Sequence, residues 1–156
     1  MHKRSTLPPQ AESAYRTIQA GEQKTRIQKV WNMDEPSFAL LIVWTRVEAL
    51  LKLIWYDQNI KAGWPEKMKF VQVTWRPLSR VAAEDSVAYN AVFRGDKSLL
   101  QVRNRIVHAG LQVAKEDASP LGWYGEWMAS KLETIKPPRE ALLRKAAAKT
   151  TGTLSC

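Results

Sequence analysis

The segment Arg103-Asn104-Arg105-Ile106-Val107-His108 holds the side chains best suited to chemistry in this chain. His108 can exchange a proton near neutral pH, where an unperturbed imidazole titrates. Arg103 and Arg105 are permanently charged and present planar forks of donors that match a phosphate or a carboxylate. An imidazole near such a guanidinium suits proton transfer at an oxygen while an anion is held in place. The other histidine, His2, sits in an N-terminal arm that ends at Pro8-Pro9, and it is expected to be inert. A lone helical His is more often structural than catalytic, so its neighbours must carry the case.

Helix geometry sorts those neighbours. At about 100° per residue, Asn104 and Arg105 share one polar face with His108. Leu99, Leu100, Ile106 and Val107 form the apolar face. Arg103 falls among these apolar residues, roughly 140° from His108. Arginine is rarely buried without an anion. Its partner is therefore either a carboxylate such as Glu48 or the phosphate of a substrate in a cleft, and helix geometry leaves both open.

The elements that must position this segment read as helices. Residues 10–31 form a polar helix with sparse apolar contacts at Tyr15, Ile18, Ile27 and Val30. Asp34-Glu35-Pro36 starts the next helix, an acidic cap before a proline in the first turn. That helix runs to about Asn59 and is apolar nearly all round, which places it at the centre of a bundle. Its polar line is Thr45, Glu48 and Lys52. Glu48 and Lys52 suit either an intrahelical ion pair, the simpler reading, or a pair lining a cleft. Residues 63–77 break the pattern, with a short extended stretch from Phe70 to Trp75. Helical periodicity resumes from Leu78 to Val92. Asp96 caps a helix from about Lys97 to Ala109, and Gly110 stops it. Further helices cover about 121–136 and 139–149. The expected architecture is all-α, an up-and-down bundle of four to five helices with a basic C-terminal extension. The boundaries are a flexible basic arm (1–9), a helical domain (10–136), and a basic helix with a disordered tail (137–156).

Composition narrows the partner. The 156 residues contain 24 Lys and Arg against 15 Asp and Glu, a net charge of +9. Such an excess favours a polyanion, nucleic acid before membrane. The longest apolar run, Phe38–Trp44, is soon interrupted by Arg46, Glu48 and Lys52, so no membrane partner is expected. Without an apolar leader segment or an internal cysteine, a cytoplasmic location is expected. Cys156 is the sole cysteine. Together with the lack of clustered carboxylates, it leaves no ligand set for a metal, and no cofactor is expected. Seven tryptophans point to aromatic anchors. Trp44, Trp55, Trp123 and Trp127 can stack bases, but their helical spacing favours the core.

Arg103-Asn104-Arg105-Ile106-Val107-His108-Ala109-Gly110 resembles the R-x(4–6)-H signature of the HEPN superfamily, with Asn104 matching the polar residue favoured after the Arg. The long helix over 36–59, with its Glu48–Lys52 spacing, is similar to the second helix of that family. The resemblance covers roughly residues 10–136 and assigns no counterpart to 63–77 or to the tail. It implies a metal-independent endoribonuclease of the kind found in phage defence, toxin–antitoxin and RNA-processing systems. It also implies a homodimer in which two motif helices meet across the two-fold axis. His108 would then transfer protons, Arg103 would stabilise the phosphate, and Asn104 would orient His108 or the ribose. Arg105, Glu48 and Lys52 would support the substrate. Related toxins that a partner nucleotidyltransferase modifies carry Tyr two positions after the His. Here that residue is Gly110, which puts such control in doubt. An antitoxin or other regulatory protein remains an expected partner. Two other readings stand beside this one. The first is a non-catalytic HEPN module that binds RNA or a nucleotide. The second is an antitoxin-like helical interaction protein in which Arg103 forms a salt bridge and His108 packs in the core.

The surplus cations Lys3, Arg4, Arg139, Arg144, Lys145 and Lys149 are candidates for sequence-independent contacts to RNA phosphates. The alternative for them is a solvated, solubilising face.

Overall fold

A computed structural model describes residues 6–19, 28–29, 31–32, 34–65 and 76–151. Among them are seven α-helices and no strand: α1 (Pro9–Gln19), α2 (Pro36–Gln58), α3 (Arg76–Glu84), α4 (Ser86–Phe93), α5 (Leu99–Ala109), α6 (Lys115–Glu133) and α7 (Arg139–Thr151). A single 3-10 turn, Ile60–Ala62, follows α2. The all-α class read from the sequence holds, with more helices than the four to five expected. No helix among the described residues is long and apolar enough to cross a membrane.

Helix α2 is the axis of the fold. It packs against α1, α5 and α6, and it buries residues on every side, among them Leu40, Val43, Trp44, Val47, Leu50, Leu51 and Ile54. Pro36 occupies its first turn, where the missing N–H costs nothing. The expected acidic cap is absent, because the Glu35 side chain makes no capping hydrogen bond. Helix α6 crosses α2 closely at Gly125. A Cβ there would lie 2.4 Å from Val43 Cγ1 and 2.8 Å from a Leu99 methyl.

Capping chemistry sets the other boundaries. Asp85 divides the 78–92 region into two helices, because its carboxylate accepts from the Ala88 amide at 3.0 Å and starts α4 anew. Ser98, not Asp96, caps α5, since its hydroxyl accepts from the Gln101 amide at 3.3 Å. Gly110 ends α5 as expected, at φ 65°, a left-handed conformation that favours glycine. Helix α6 begins at Lys115, earlier than the periodicity suggests, and it carries Pro120 inside.

The C-terminal helix is part of the bundle. Leu142 is fully buried and Ala146 nearly so. The Tyr15 hydroxyl donates to the Pro137 carbonyl at 2.7 Å. Arg139 donates to both carboxylate oxygens of Glu12, at 2.9 and 2.7 Å, and Lys145 pairs with Asp57 at 2.8 Å. A basic helix with a hidden apolar stripe reads in sequence as an appendage, yet α7 packs against the 3-10 turn after α2 and is tied to α1 and the end of α2 by these polar bonds. The extended stretch 70–75, residues 20–27 and 30 of the expected 10–31 helix, and the cations Lys3 and Arg4 lie outside the described residues, as does the Lys149 side chain.

Two outcomes follow for stability. Gly125→Ala drives a methyl into Val43 and Leu99, so it should lower stability by about 1–3 kcal/mol despite better helix propensity. Thermal unfolding should show a lower midpoint than the wild type. Burial, with Asp57 nearby, raises the Tyr15 phenol from 10.0 to about 12, whereas in the unfolded chain it ionises near its ordinary value. The resulting stabilisation is complete below pH 10 and is lost as pH rises towards 12. Tyr15→Phe leaves the Pro137 carbonyl unpaired and should cost about 1–2 kcal/mol at pH 7. Urea unfolding at pH 7 and pH 11 should find a smaller alkaline loss in the variant than in the wild type.

Candidate nucleic-acid interface

Helices α1, α2 and α5 leave between them a cleft of about 810 Å³. The face of α2 that follows Leu41, Thr45, Glu48 and Lys52 forms its floor, and Arg103 and Val107 of α5 line one wall. Gln10, Ser13, Arg16 and Thr17 of α1 line another, and Trp64 stands beyond the end of α2. The amide of Val113, just past α5, donates to the Ser37 hydroxyl at the start of α2, at 2.9 Å. The C-terminal end of α5 therefore meets the N-terminal end of α2, and the two helices run in opposite senses.

Arg103 and Val107 differ from the expected pattern in one respect. Leu99 and Val102 face the core with half-buried Ile106. Val107, expected on the buried side, is 49% exposed. The residues at 103 and 107 form a separate stripe, turned from the core into the cleft.

Glu48 is not the partner of Arg103. One of its oxygens accepts from the Trp44 indole N–H at 2.8 Å, and the other pairs with Lys52 Nζ at 3.0 Å. Both carboxylate oxygens are thus engaged within α2. Arg103 instead donates to the side-chain oxygen of Asn104 at 3.0 Å. No carboxylate among the described residues lies within ion-pairing distance of its guanidinium. A half-buried guanidinium is thereby oriented by a neutral amide and not neutralised. Asn104, expected to turn towards His108 or a ribose, is spent on holding Arg103.

His108 lies outside this cleft. It is exposed in the last turn of α5, on the same side as exposed Arg105. The structure thus joins Arg103, Asn104, Glu48 and Lys52 and leaves His108 and Arg105 on another face of the same helix. The roughly 140° between Arg103 and His108 persists in the fold.

Among the tryptophans, Trp44 is buried edge-on against Phe93 at 6.2 Å. Trp55 and Trp127 are half-buried, whereas Trp123 is 61% exposed. Of the expected phosphate contacts, Arg139 and Lys145 are engaged with Glu12 and Asp57, and Arg144 is exposed.

Three residues of consequence escaped the sequence. Arg46 is buried between Glu126, at 3.4 Å, and Glu133, tying α2 to α6. Its neighbours one turn away, Ile42, Val43, Ala49 and Leu50, are all apolar. A cation among apolar residues was the mark that singled out Arg103, and it applies equally to Arg46. Arg16 and Trp64 carry no local signal, because tertiary packing alone brings them to the cleft.

The chain matches no protein-family model, no curated protein and no solved structure.

The saturation of Glu48 yields a prediction. Glu48→Gln keeps the side chain's shape and releases the charge of Lys52 into the cleft. Affinity for a single-stranded polyanion should rise roughly few-fold, with a steeper dependence on salt. Anisotropy titrations at two salt concentrations measure both. A carboxylate acting as general base would give the opposite pattern, with unchanged binding and lost turnover.

Proposed function

We propose that the chain is an endoribonuclease of the HEPN type that works as a homodimer and needs no metal. The observation that carries this reading is the state of Arg103, a half-buried guanidinium in a cleft, aimed by Asn104 and without a carboxylate partner among the described residues. A substrate phosphate supplies the missing anion, and the guanidinium fork grips it in two places.

In the cleavage step the 2′-oxygen attacks phosphorus and the bond from phosphorus to the 5′-oxygen breaks. The proton of the 2′-hydroxyl passes to the His108 imidazole of one protomer. The protonated His108 of the other gives a proton to the departing 5′-oxygen. Arg103 offsets the charge that builds on the phosphate oxygens. The products are a 2′,3′-cyclic phosphate and a 5′-hydroxyl.

The homodimer answers the angular gap within one chain. A symmetric contact between two α5 helices can set Arg103 of one protomer beside His108 of the other. Exposed apolar side chains support such a contact, since Phe38 is 48% exposed, Val107 49% and Leu111 37%. All three lie near the junction at which Ser37 holds Val113. The distance between His108 and the cleft favours one alternative, a module that binds RNA through Arg103 without cutting it. An antitoxin or a role in phage defence, toxin–antitoxin control or RNA processing belongs to the resemblance alone.

Incubation of the purified protein with total RNA and a chelator, followed by mapping of the ends, tests the proposal. Cleavage should leave cyclic or 3′-phosphate ends. His108→Ala should reduce it about 10²–10⁴-fold, and Arg103→Ala should also reduce it severely. Wild-type protein without activity, or variants as active as wild type, would sink the enzyme reading.

A further inference from the structure

We propose that the end of the cleft remote from Val107 is a subsite for one unpaired nucleotide of single-stranded RNA. Trp64 would stack on the base, and Arg16 would take an adjoining phosphate. This rests on the RNA reading of the cleft but not on cleavage.

Length is the first reason. Leu41 and Lys52 both line the cleft, and eleven residues of helix span about 16 Å. A single phosphate at Arg103 does not fill that distance. The volume, about 810 Å³, lies well within the range of roughly 300–1,000 Å³ that accommodates organic ligands.

Charge is the second. Arg16, Lys52 and Arg103 line the cleft against the one carboxylate of Glu48. The ion pair with Lys52 neutralises Glu48, so Arg16 and Arg103 form the surplus. They stand on facing helices, as two successive contacts to one strand require. Arg16 is exposed and enters no hydrogen bond or ion pair with other described residues.

The third reason is the aromatic surface. The Trp64 ring rests against Tyr56, with centroids 5.7 Å apart and planes 57° from parallel. Tyr56 is itself buried, so the indole has a rigid backing. Trp64 is only half-buried and lines the cleft. A backed indole in the same cleft as these cations binds any base by its flat face, which gives affinity without demanding a sequence.

Anisotropy titration of the full chain with a labelled 2′-O-methyl RNA oligonucleotide tests the subsite, because that probe binds but cannot be cut at the 2′-oxygen. Trp64→Ala should weaken binding about 5- to 150-fold, as loss of one stacking contact does, while Trp64→Phe should stay within a few-fold of wild type. Arg16→Gln touches no packed residue and should reduce the salt slope by about 0.7, one phosphate contact on a single strand. Circular dichroism establishes that each variant is folded. If Trp64→Ala does not fold, Trp64→Phe and Arg16→Gln still decide the matter. Wild-type affinity in folded Trp64→Ala, or an unchanged slope in Arg16→Gln, would overturn the subsite. Full displacement of the probe by a free mononucleotide at equal concentration would also overturn it, since a strand makes contacts that a monomer lacks. Cleavage of natural RNA with no effect of these variants leaves the ribonuclease reading intact and the subsite refuted. Variant-sensitive binding without cleavage does the reverse.

Discussion

Helix α2 has almost no side to spare for water, and its few polar groups must find partners inside the protein. Arg46 does so between two glutamates of α6. Ser37 does so by accepting from the chain beyond α5. Glu48 does so by engaging Trp44 and Lys52 of its own helix. Each bond fixes a neighbour of α2 or removes a charge from competition. A buried cation left without its carboxylates would cost several kcal/mol, so the α2–α6 register is specified by charge as well as by packing. The same economy on α2 is what leaves Arg103 uncompensated on α5. The one carboxylate on the cleft floor is already saturated, and Asn104 can orient the guanidinium but cannot neutralise it.

The functional reading grows from that imbalance. Two arginines on facing helices flank a groove whose single acid is spent, and an indole with a rigid backing stands at one end. These features suit a phosphodiester strand better than an acidic protein surface, because stacking and point contacts to phosphates use flat rings and separated cations. His108 belongs to the same helix as Arg103 yet faces elsewhere. In the proposed ribonuclease one copy of α5 would therefore present half of the chemistry on each of two faces, and a second copy would bring the halves together.

Much of the fold was legible because it depends on local chemistry. Pro36 marks the start of α2, Gly110 the end of α5, and the apolar circumference of α2 its central place. The cap of α5 was misplaced in sequence, since Asp96 suits the role by type but Ser98 is the residue whose hydroxyl meets the Gln101 amide. Pro120 disguised the start of α6, because a proline six residues into a helix looks like a boundary. The basic composition of α7 masked the apolar stripe of Leu142 and Ala146 that docks it. In the site, the motif on α5 and the Glu48–Lys52 line could be read from spacing. The partner of Arg103 could not, because it depended on how Trp44 and Lys52 share Glu48. Arg16 and Trp64 reach the cleft from separate elements, and no periodicity connects them to it.

In the proposed ribonuclease Arg103 and His108 act together only across two protomers. Mixing Arg103→Ala chains with His108→Ala chains tests it most directly, after exchange of subunits and with RNA cleavage as the readout. Each variant alone lacks one essential group in both protomers. The mixed dimer retains one Arg103 and one His108 on different chains but only one of the two proton-transfer groups, so cleavage should return in part, above the sum of the separate variants and below wild type. Activity no greater than the sum of the separate variants, in a sample shown to contain mixed dimers, would contradict it.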